Sequence, residues 1–318
     1  MSFRSALAGA TVTIALGAIA LAAFSWSTAT GTAVGPLVRI FDALSPWLLA
    51  VGGAFAGAAL LLGARWLGAT LLLIAVLCGA VGYASYRSVT VPLADRVPED
   101  FSVLFFNVEN TNTAYASRII EATVAEKPDI AVFAEAGALA GEIEKLEAAY
   151  SFVTPCTSRD CQLVLATDLP VLRSWFLSLN PIWPGRYGVM EIETPAGTPM
   201  FVVANHLTKP WMSGVSEMEL HQLLAQYRWL QGPALVVGDF NMPPWSYPLR
   251  QILDESGFRA LRAQPASWPA SGGPFALPID LALVTGGVQA TGVDPFGQGL
   301  NSNHLGFVVD VAVPAPDG

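Results

Sequence analysis

Charged side chains are scarce in this chain of 318 residues. Asp, Glu, Lys and Arg make up 13% of it, apolar residues make up 53%, and the mean hydropathy is +0.49. Soluble globular domains carry about 25% charged residues, so an ordinary soluble composition is excluded. The deficit is concentrated in residues 1–87, whose only charged side chains are Arg4, Arg39, Asp42, Arg65 and Arg87.

Three long apolar runs fill this first segment, at roughly Leu7 to Phe24, Leu44 to Gly63 and Trp66 to Tyr86. Each approaches the ~20 residues that a helix needs to cross a bilayer, and their frequent Gly and Ala suit close packing between membrane helices. The runs contain no acidic residue, which argues against the ion path of a transporter. We predict a transmembrane anchor of three helices over residues 1–87, with a cleaved signal peptide as the alternative for the first run.

An odd number of spans would place the two ends of the anchor on opposite sides of the membrane. Arg4 and Arg65 would lie on one side, and Arg39 and Arg87 on the other, so positive charges alone give a near tie. The free amino terminus and the short loop at Arg65 favour the cytoplasm for the first side. The rest of the chain, which we expect to be a linker at 88–100 and a folded domain at 101–318, would then lie outside the cytoplasm.

Basic residues are also scarce after the anchor. Four of the 16 Lys and Arg and one of the 25 Asp and Glu lie in residues 1–87, which leaves 12 basic against 24 acidic residues and a net charge of −12. A protein that grips a nucleic-acid backbone presents a basic face that releases counterions. Nucleic acid is therefore disfavoured as a partner.

Cysteine occurs only three times. Cys78 lies inside the third apolar run, where it serves as a small apolar residue. Cys156 and Cys161 can close a short disulfide loop in an oxidising compartment, or remain a pair of free thiols. A cysteine metal site is not expected, because no second Cys or His pair lies nearby.

The stretch from Leu235 to Pro244 is the one that points most directly to chemistry. Its apolar, β-branched start predicts a buried strand that delivers Asp239 and Asn241, whose side chains leave the same face of an extended segment. A carboxylate beside a carboxamide can hold a nucleophilic water and orient a phosphoryl oxygen. The alternative is an Asx-turn that only ends the strand.

Other predicted strands also end in polar side chains. Residues 101–106 and 129–134 read as strands that end at Asn107 and Glu135, with a helix at 114–127 between them. In such a β-α-β unit both side chains lie at one edge of the sheet, where their oxygens can bind Mg²⁺ or simply cap the strands. Comparable positions farther along carry His206, Asp280 and His304, whereas His221 lies in a helical pattern without an evident role.

Taken together, these motifs resemble the endonuclease/exonuclease/phosphatase superfamily, which includes deoxyribonuclease I, apurinic endonucleases, sphingomyelinases and inositol polyphosphate phosphatases. The resemblance covers residues 100–313 and rests on Gly-Asp-Phe-Asn at 238–241, Pro-Asp-Ile at 128–130 and Ile-Asp at 279–280, in that family's order. The leading apolar runs and Pro-Pro-Trp-Ser after the central motif look most like bacterial membrane-anchored members. The resemblance therefore implies location in the bacterial inner (cytoplasmic) membrane.

The resemblance implies an α/β (α+β) fold, a four-layer sandwich of two facing mixed β-sheets flanked by helices, with the site at one rim. Asn107 and Glu135, with an oxygen from Asn303, would hold Mg²⁺ or Mn²⁺. Asp239 would position or deprotonate the attacking water, and Asn241 would hold the phosphate.

Two histidines complete the site that the resemblance implies. His304, oriented by Asp280, would bind the phosphoryl oxygen or act as acid or base. His206, in Asn-His-Leu, matches a second histidine of deoxyribonuclease I, sphingomyelinases and phosphatases. Apurinic endonucleases typically lack that histidine, so His206 argues against abasic-site repair.

One motif departs from the family pattern, because Ser302-Asn303-His304 stands where the family usually has Ser-Asp-His. An amide keeps an oxygen ligand but removes a negative charge, which predicts weaker metal binding. The implied function is a membrane-anchored, divalent-metal-dependent phosphoester hydrolase acting on a lipid headgroup, a small phosphodiester or a sugar phosphate. Two alternatives stay open: an extracytoplasmic endonuclease acting on DNA or RNA, and a binding domain whose catalysis is weakened by Asn303.

Overall fold

The computed structural model describes residues 3–25, 34–95 and 97–313. The chain divides into two compact units. The first comprises residues 1–88 together with Pro210–Gly214 and Trp245–Arg250. The second comprises Val89–Lys209, Val215–Pro244 and Gln251–Gly318.

Three helices form most of the first unit: α1 (Phe3–Phe24), α2 (Gly35–Leu62) and α3 (Arg65–Ser88). All three are long and apolar enough, by length and composition, to cross a membrane. Small residues lie where the helices touch. A Cβ on Gly52 would come within 2.7 Å of Ile19, and one on Gly68 within 2.8 Å of a backbone oxygen of α2, so glycine permits the close approach.

The second helix begins well before the apolar run from which it is predicted. Pro36 is tolerated in its first turn, where an amide hydrogen is not needed. The helix then continues through Arg39 and Asp42, which are both buried. One of the three long helices therefore does contain an acidic residue, contrary to the expectation from the apolar runs alone.

Two mixed β-sheets form the centre of the second unit, flanked by helices, which confirms the predicted fold class. The strands are β1 (Thr90–Val91), β2 (Phe101–Asn107), β3 (Ile130–Ala134), β4 (Phe152–Val153), β5 (Leu163–Thr167), β6 (Val171–Leu177), β7 (Tyr187–Glu193), β8 (Pro199–His206), β9 (Ala234–Asp239), β10 (Arg259–Leu261), β11 (Asp280–Thr285), β12 (Gln289–Phe296) and β13 (Gly306–Ala312). The seven-stranded sheet has the order β1-β10-β11-β9-β8-β7-β6, and the six-stranded sheet has the order β12-β13-β2-β3-β5-β4. The remaining helices are α4 (Ala116–Glu126), α5 (Ile143–Ala149), α6 (Val215–Trp229) and α7 (Tyr247–Ser256).

Alternation along β2 shows how the layers form. Val103 and Phe105 join a buried cluster that also contains residues of the seven-stranded sheet, such as Val237. The intervening Leu104 and Phe106 join a second cluster with residues of α4 and α5. Successive side chains of a strand point to opposite faces, so β2 is covered by the other sheet on one side and by helices on the other.

Part of the segment 88–100, which the sequence predicts to be a linker, is paired with the sheet. β1 runs parallel to β10, with Thr90 opposite Ala260, and the carbonyl oxygens of Val89 and Val91 accept hydrogen bonds from the backbone amides of Ala260 and Arg262. Only Val89 lies between the end of α3 and the start of β1. The sheet therefore begins almost directly after the third helix.

Several short or edge strands are not predicted from the sequence: β1, β4, β6, β10 and β12. The outermost strand β6 leaves most of its side chains exposed and carries mixed polar and apolar residues, while the outermost strand β12 contains a proline. Proline is tolerated on an edge strand because one side of the strand has no partner. Elsewhere in this unit, Cys156 and Cys161 form a disulfide.

Candidate functional site

Strand register brings three of the predicted site residues to one edge of the seven-stranded sheet. β8 runs parallel to β9 with His206 opposite Asp239. β11 runs antiparallel to β9 with Asp280 opposite Asp239. Because β8 and β9 end where β11 begins, these three side chains lie at the same edge.

The six-stranded sheet contributes a matching pair. β2 and β3 are parallel, so Asn107 at the end of β2 lies opposite Ala134, directly before Glu135. The Asn107 side-chain amide donates to Asp239 Oδ2 at 3.0 Å and lies 3.4 Å from Glu135 Oε1. One amide group therefore contacts carboxylates from both sheets, so Glu135 and Asp239 share one site.

Two histidines border these carboxylates. His206 Nε2 lies 3.7 Å from both Glu135 Oε1 and Asp239 Oδ2. His304 Nε2 lies 3.8 Å from Asp239 Oδ2, and its Nδ1 lies 2.8 Å from Asp280 Oδ2. The Asp280 carboxylate thus fixes the His304 ring so that Nε2 faces Asp239.

The pKa values of the two histidines are shifted in opposite directions. Burial, reinforced by the charges of Arg186 and His304, lowers the pKa of His206 well below its usual value. Burial also opposes charging of His304, but the carboxylates of Asp280 and Asp239 outweigh it and raise its pKa to about 9. At neutral pH the site therefore combines a neutral imidazole with a charged one, an arrangement suited to distinct acid–base roles.

Asp239 is almost completely buried, and burial followed by the neighbouring Asp280 charge raises its pKa to about 7. Its Oδ1 accepts a hydrogen bond from the Asn241 backbone amide at 2.8 Å. This contact has the spacing of an Asx-turn. The two interpretations of Asp239 are therefore compatible, because the same carboxylate accepts the turn's hydrogen bond and lies in the site. Asn241 lies in the left-handed region, with φ of 53°, and its side-chain amide donates to Leu207 O at 2.8 Å.

Gly238 is required by the close approach of β8. A Cβ at this position would lie 2.2 Å from the backbone oxygen of Asn205. The Asn205 side chain in turn accepts a hydrogen bond from the Tyr227 hydroxyl at 3.0 Å. The glycine of the Gly-Asp-Phe-Asn motif therefore serves packing next to Asp239.

The donor set around Glu135 fits a hard divalent cation. Carboxylates and amide oxygens are the ligands that Mg²⁺ and Mn²⁺ prefer, and Glu135 is half-buried and held at φ of 52°. Its Oε2 accepts the backbone amide of Asn110 at 2.9 Å. Two carboxylates from different strands that converge on one amide group would be stabilised by such an ion.

Asp239, Asp280 and His304 form a second group whose candidate ligand atoms all lie within 4.8 Å of one another. The His304 Nδ1 atom already faces Asp280 at hydrogen-bonding distance. We therefore interpret this group as an oriented histidine beside a carboxylate. The Glu135 carboxylate, whose contact with His206 is 3.7 Å, is more available to a metal than Asp280, which is engaged with His304.

Asn303 contributes through its backbone in this structure. Its amide donates to Glu109 Oε2 at 3.1 Å, its carbonyl accepts from Ala270 N at 2.8 Å, and its side chain is exposed. Glu109 lies at φ of 63°, and its own amide donates to Asn107 Oδ1 at 3.0 Å. A carboxylate that was not among the predicted site residues thus lies beside the position where the family usually has Asp.

Arg186 is a further site residue that the sequence did not identify. Burial lowers its pKa, while the charges of Glu219, Glu135 and Asp239 oppose that shift. Its Nε donates to Gln162 Oε1 at 2.8 Å, and its guanidinium lies over the Trp183 ring, 5.1 Å from the centroid. A single Arg before a strand gives no signal in a sequence, because its neighbours in the site are assembled by the fold.

Glu219 on α6 supports the two loops beside Arg186. It is 1% exposed and accepts hydrogen bonds from Asn180 Nδ2 at 2.6 Å and from the Thr208 amide at 2.6 Å. Thr208 follows His206 by two residues, so this carboxylate fixes the chain just after that histidine. His221, on the same helix, is exposed.

Comparison with known proteins places these residues in a family. The family model described as "Endonuclease/Exonuclease/phosphatase family" matches residues 104–304, a span that runs from β2 to His304. No curated protein matches the sequence. Members of the family are generally hydrolases that act on phosphoester bonds.

Solved structures show the same fold at low sequence identity. An endonuclease/exonuclease/phosphatase protein from Beutenbergia cavernae is 17% identical with a TM-score of 0.55, covering 70% of this chain and 74% of its own. TDP2 from D. rerio, complexed with a single-strand DNA product, is 13% identical with a TM-score of 0.56, covering 67% and 99%. A beta toxin variant from Staphylococcus aureus with bound magnesium ions is 12% identical with a TM-score of 0.50, covering 66% and 99%. This chain therefore belongs to the endonuclease/exonuclease/phosphatase family.

Proposed function

We propose that the chain is a membrane-anchored phosphoester hydrolase that depends on Mg²⁺ or Mn²⁺. The observation that carries this proposal is the meeting of Glu135 and Asp239, from two different sheets, at the Asn107 amide. A divalent ion held by the Glu135 carboxylate would neutralise charge on the phosphoryl group. Asn107 faces this carboxylate with its Nδ2, while its Oδ1 accepts the Glu109 amide, so its role would be to orient Glu135. The other roles fall to side chains of the chain itself.

Asp239 would accept a proton from the attacking water. The water oxygen forms a new bond to phosphorus, its proton passes to Asp239, and the ester oxygen leaves with the electrons of the broken bond and takes a proton from solvent. His304, held by Asp280, donates a hydrogen bond through Nε2 to a phosphoryl oxygen. Asn241 holds the Asp239 carboxylate through its backbone amide, and its side chain would orient the substrate phosphate.

Positive charge on this side of the site comes from Arg186 and Lys209. Both lie close enough to affect the charge state of His206. Arg186 is held between Gln162 and Trp183, so its guanidinium is oriented before a phosphate arrives. A phosphate bound between these cations and the carboxylates would be held in one position, and the cations would offset its negative charge.

We propose a lipid headgroup, a small phosphodiester or a sugar phosphate as the substrate class. The net charge of −12 after residue 87 disfavours a long nucleic acid. The three long apolar helices would keep the enzyme at a bilayer. A phosphoester presented at the membrane surface fits both properties.

The proposal also specifies on which side of the membrane each part of the chain lies. We propose that the amino terminus is cytoplasmic and that the catalytic domain lies outside the inner membrane of a bacterium. The Cys156–Cys161 disulfide supports an oxidising compartment. Proteolysis of intact spheroplasts should remove the catalytic domain; its complete protection until the membrane is lysed would reverse the orientation.

The function is tested with the full chain in detergent micelles and a panel of phosphoesters. We expect hydrolysis of bis(4-nitrophenyl) phosphate with Mg²⁺ and its loss in EDTA. Comparison with 4-nitrophenyl phosphate separates diesterase from monoesterase activity, and headgroup release from phospholipid in mixed micelles tests the lipid class.

Two outcomes would replace this function by another. Nicking of plasmid DNA at rates above those for the small esters would favour an extracytoplasmic endonuclease. Absence of Mg²⁺ binding by calorimetry, together with no turnover of any ester, would favour a binding domain in which Asn303 marks lost catalysis.

A further inference from the structure

The segment that directly follows the site motif belongs to the same compact unit as the three helices. Trp245–Arg250 groups with residues 1–88, whereas Asp239 and Asn241 precede it by only a few residues. We infer that the amino-terminal part of α2, through Asp42, positions this segment and thereby the site motif. The inference gives a helix of the anchor a role in catalysis beyond attachment to a membrane.

Three contacts join α2 to this segment. The Asp42 carboxylate accepts a hydrogen bond from the Tyr247 backbone amide at 2.7 Å. The Trp245 indole Nε1 donates to the backbone oxygen of Ala43 at 3.1 Å. The rings of Trp47 and Trp245 pack with centroids 5.6 Å apart. The α2 residues involved lie close together at one end of the helix.

The length of α2 allows Asp42 to lie outside a bilayer, with Ala43 and Trp47 following it in the helix. The helix has 28 residues and so extends about 42 Å at about 1.5 Å per residue. The hydrocarbon core of a bilayer is about 30 Å thick, which leaves roughly eight residues outside it. The end with Arg39 and Asp42 carries all of the charge of this helix, so the amino-terminal turns are the part that extends beyond the membrane.

Asp42 also provides a hydrogen-bond acceptor for the first backbone amide of α7. The first amide groups of a helix have no partner within the helix, and a negative charge there is favourable. α7 begins at Tyr247, the residue whose amide Asp42 accepts. Asp42 is 2% exposed, and Arg39 and Arg250 lie close enough to interact with its charge. A carboxylate within an apolar helix is thus explained by a partner some two hundred residues later.

The connection to the site is short and stiff. Only Met242, Pro243 and Pro244 separate Asn241 from Trp245, and all three are buried. Proline fixes φ near about −65°, so two prolines in three residues leave little freedom. A shift of Trp245 and Tyr247 would therefore move Asn241 and the backbone amide that holds Asp239.

A measurement that does not require activity tests the contact. Hydrogen exchange of the full chain in detergent is compared for wild type, Asp42→Ala, Asp42→Asn and the exposed control Asp95→Asn. In Asp42→Ala we expect amide exchange at Tyr247, Leu249 and Arg250 to be about tenfold faster, since a buried bond to a charged acceptor is lost. Asp42→Asn retains an acceptor oxygen and should preserve most of the protection. Unchanged protection in Asp42→Ala would overturn the inference.

The catalytic consequence rests on the proposed function. With a soluble diester, which removes any need for the bilayer, we expect Asp42→Ala to lower kcat about tenfold with a small change in KM. Asp42→Asn should recover most of this loss, and Trp245→Phe, which keeps the ring packing but loses the bond to Ala43, should be intermediate. If Asp42→Ala does not fold, Trp245→Phe and Asp42→Asn still give the comparison.

The outcomes separate the two proposals. If the wild-type chain hydrolyses no phosphoester, the proposed function fails and hydrogen exchange alone decides the role of Asp42. If the wild type is active and Asp42→Ala and Trp245→Phe both retain its kcat, the positioning role is refuted while the hydrolase stands.

Discussion

Replacement of Asp280 by Asn tests whether His304 acts as an oriented, charged group. Asp280 is fully buried, and its Oδ2 lies 2.8 Å from His304 Nδ1. Its backbone amide donates to Ser267 Oγ at 3.1 Å, which fixes the start of β11. Asn has nearly the same shape and can still accept a hydrogen bond from Nδ1, so the ring should keep its orientation while the charge is removed.

The expected loss follows from the type of hydrogen bond. A bond to a charged group contributes about 1.5–3 kcal/mol, and a neutral bond about 0.5–1.5 kcal/mol. The difference of about 1–1.5 kcal/mol corresponds to a five- to tenfold lower kcat, at about 1.4 kcal/mol per tenfold. Asp280→Ala leaves a buried imidazole nitrogen without its partner, which adds about 1–3 kcal/mol, and should lower kcat about a hundredfold.

The assay is steady-state hydrolysis of a soluble diester by the full chain in detergent with saturating Mg²⁺. Asp294→Asn, which changes an exposed carboxylate on β12, is the matched control and should retain full activity. Thermal unfolding of each variant separates loss of function from loss of fold. A folded Asp280→Asn with kcat within twofold of wild type would refute the role assigned to the His304–Asp280 pair.

Three further predictions concern metal binding, packing and pH. Glu135→Gln should weaken Mg²⁺ binding by about tenfold or more in calorimetry, whereas the exposed Glu147→Gln should not; equal affinities would remove Glu135 from the metal site. Gly238→Ala should destabilise the fold by about 2 kcal/mol or more, because its Cβ would lie 2.2 Å from Asn205 O, while Gly141→Ala has open space and should melt like wild type. Burial raises the pKa of Glu219 above its usual 4.5, so this carboxyl contributes stability at low pH that is lost as pH rises through its folded pKa. Glu219→Gln should remove that part of the pH dependence of the melting temperature, and an unchanged pH profile would contradict it.

The central strands and the polar residues at their ends could be predicted from the sequence. Runs such as Phe101–Phe106 and Leu235–Gly238 are mostly apolar, as expected for strands that are almost completely buried. Each run stops at a polar residue, and in this fold those ends lie at one rim. The pattern therefore indicated both the strand and the position of its candidate site residue.

The partners of those side chains could not be predicted in the same way. Arg186 and Glu109 reach the site through loops whose paths depend on tertiary contacts with Gln162, Trp183 and Asn303. Nothing local in the sequence distinguishes these charged residues from exposed ones. Their roles become evident only when carboxylates from distant strands are placed beside them.

The start of α2 could not be predicted from the sequence for a different reason. Arg39 and Asp42 interrupt the apolar pattern, so the predicted span began after them at Leu44. The helix continues through both residues because Asp42 has a partner amide at Tyr247. A charged residue ends a hydrophobic run in a sequence, but it can extend a helix when the fold supplies its partner.

The most direct test of a single metal-dependent site is the Mg²⁺ dependence of turnover in Asp239→Asn. With a soluble diester, the wild-type chain should gain activity on titration with Mg²⁺, and Asp239→Asn should lose about a hundredfold or more in kcat while the exposed control Asp254→Asn responds like wild type. Activity of Asp239→Asn equal to that of wild type, or wild-type turnover that persists in EDTA, would contradict the account.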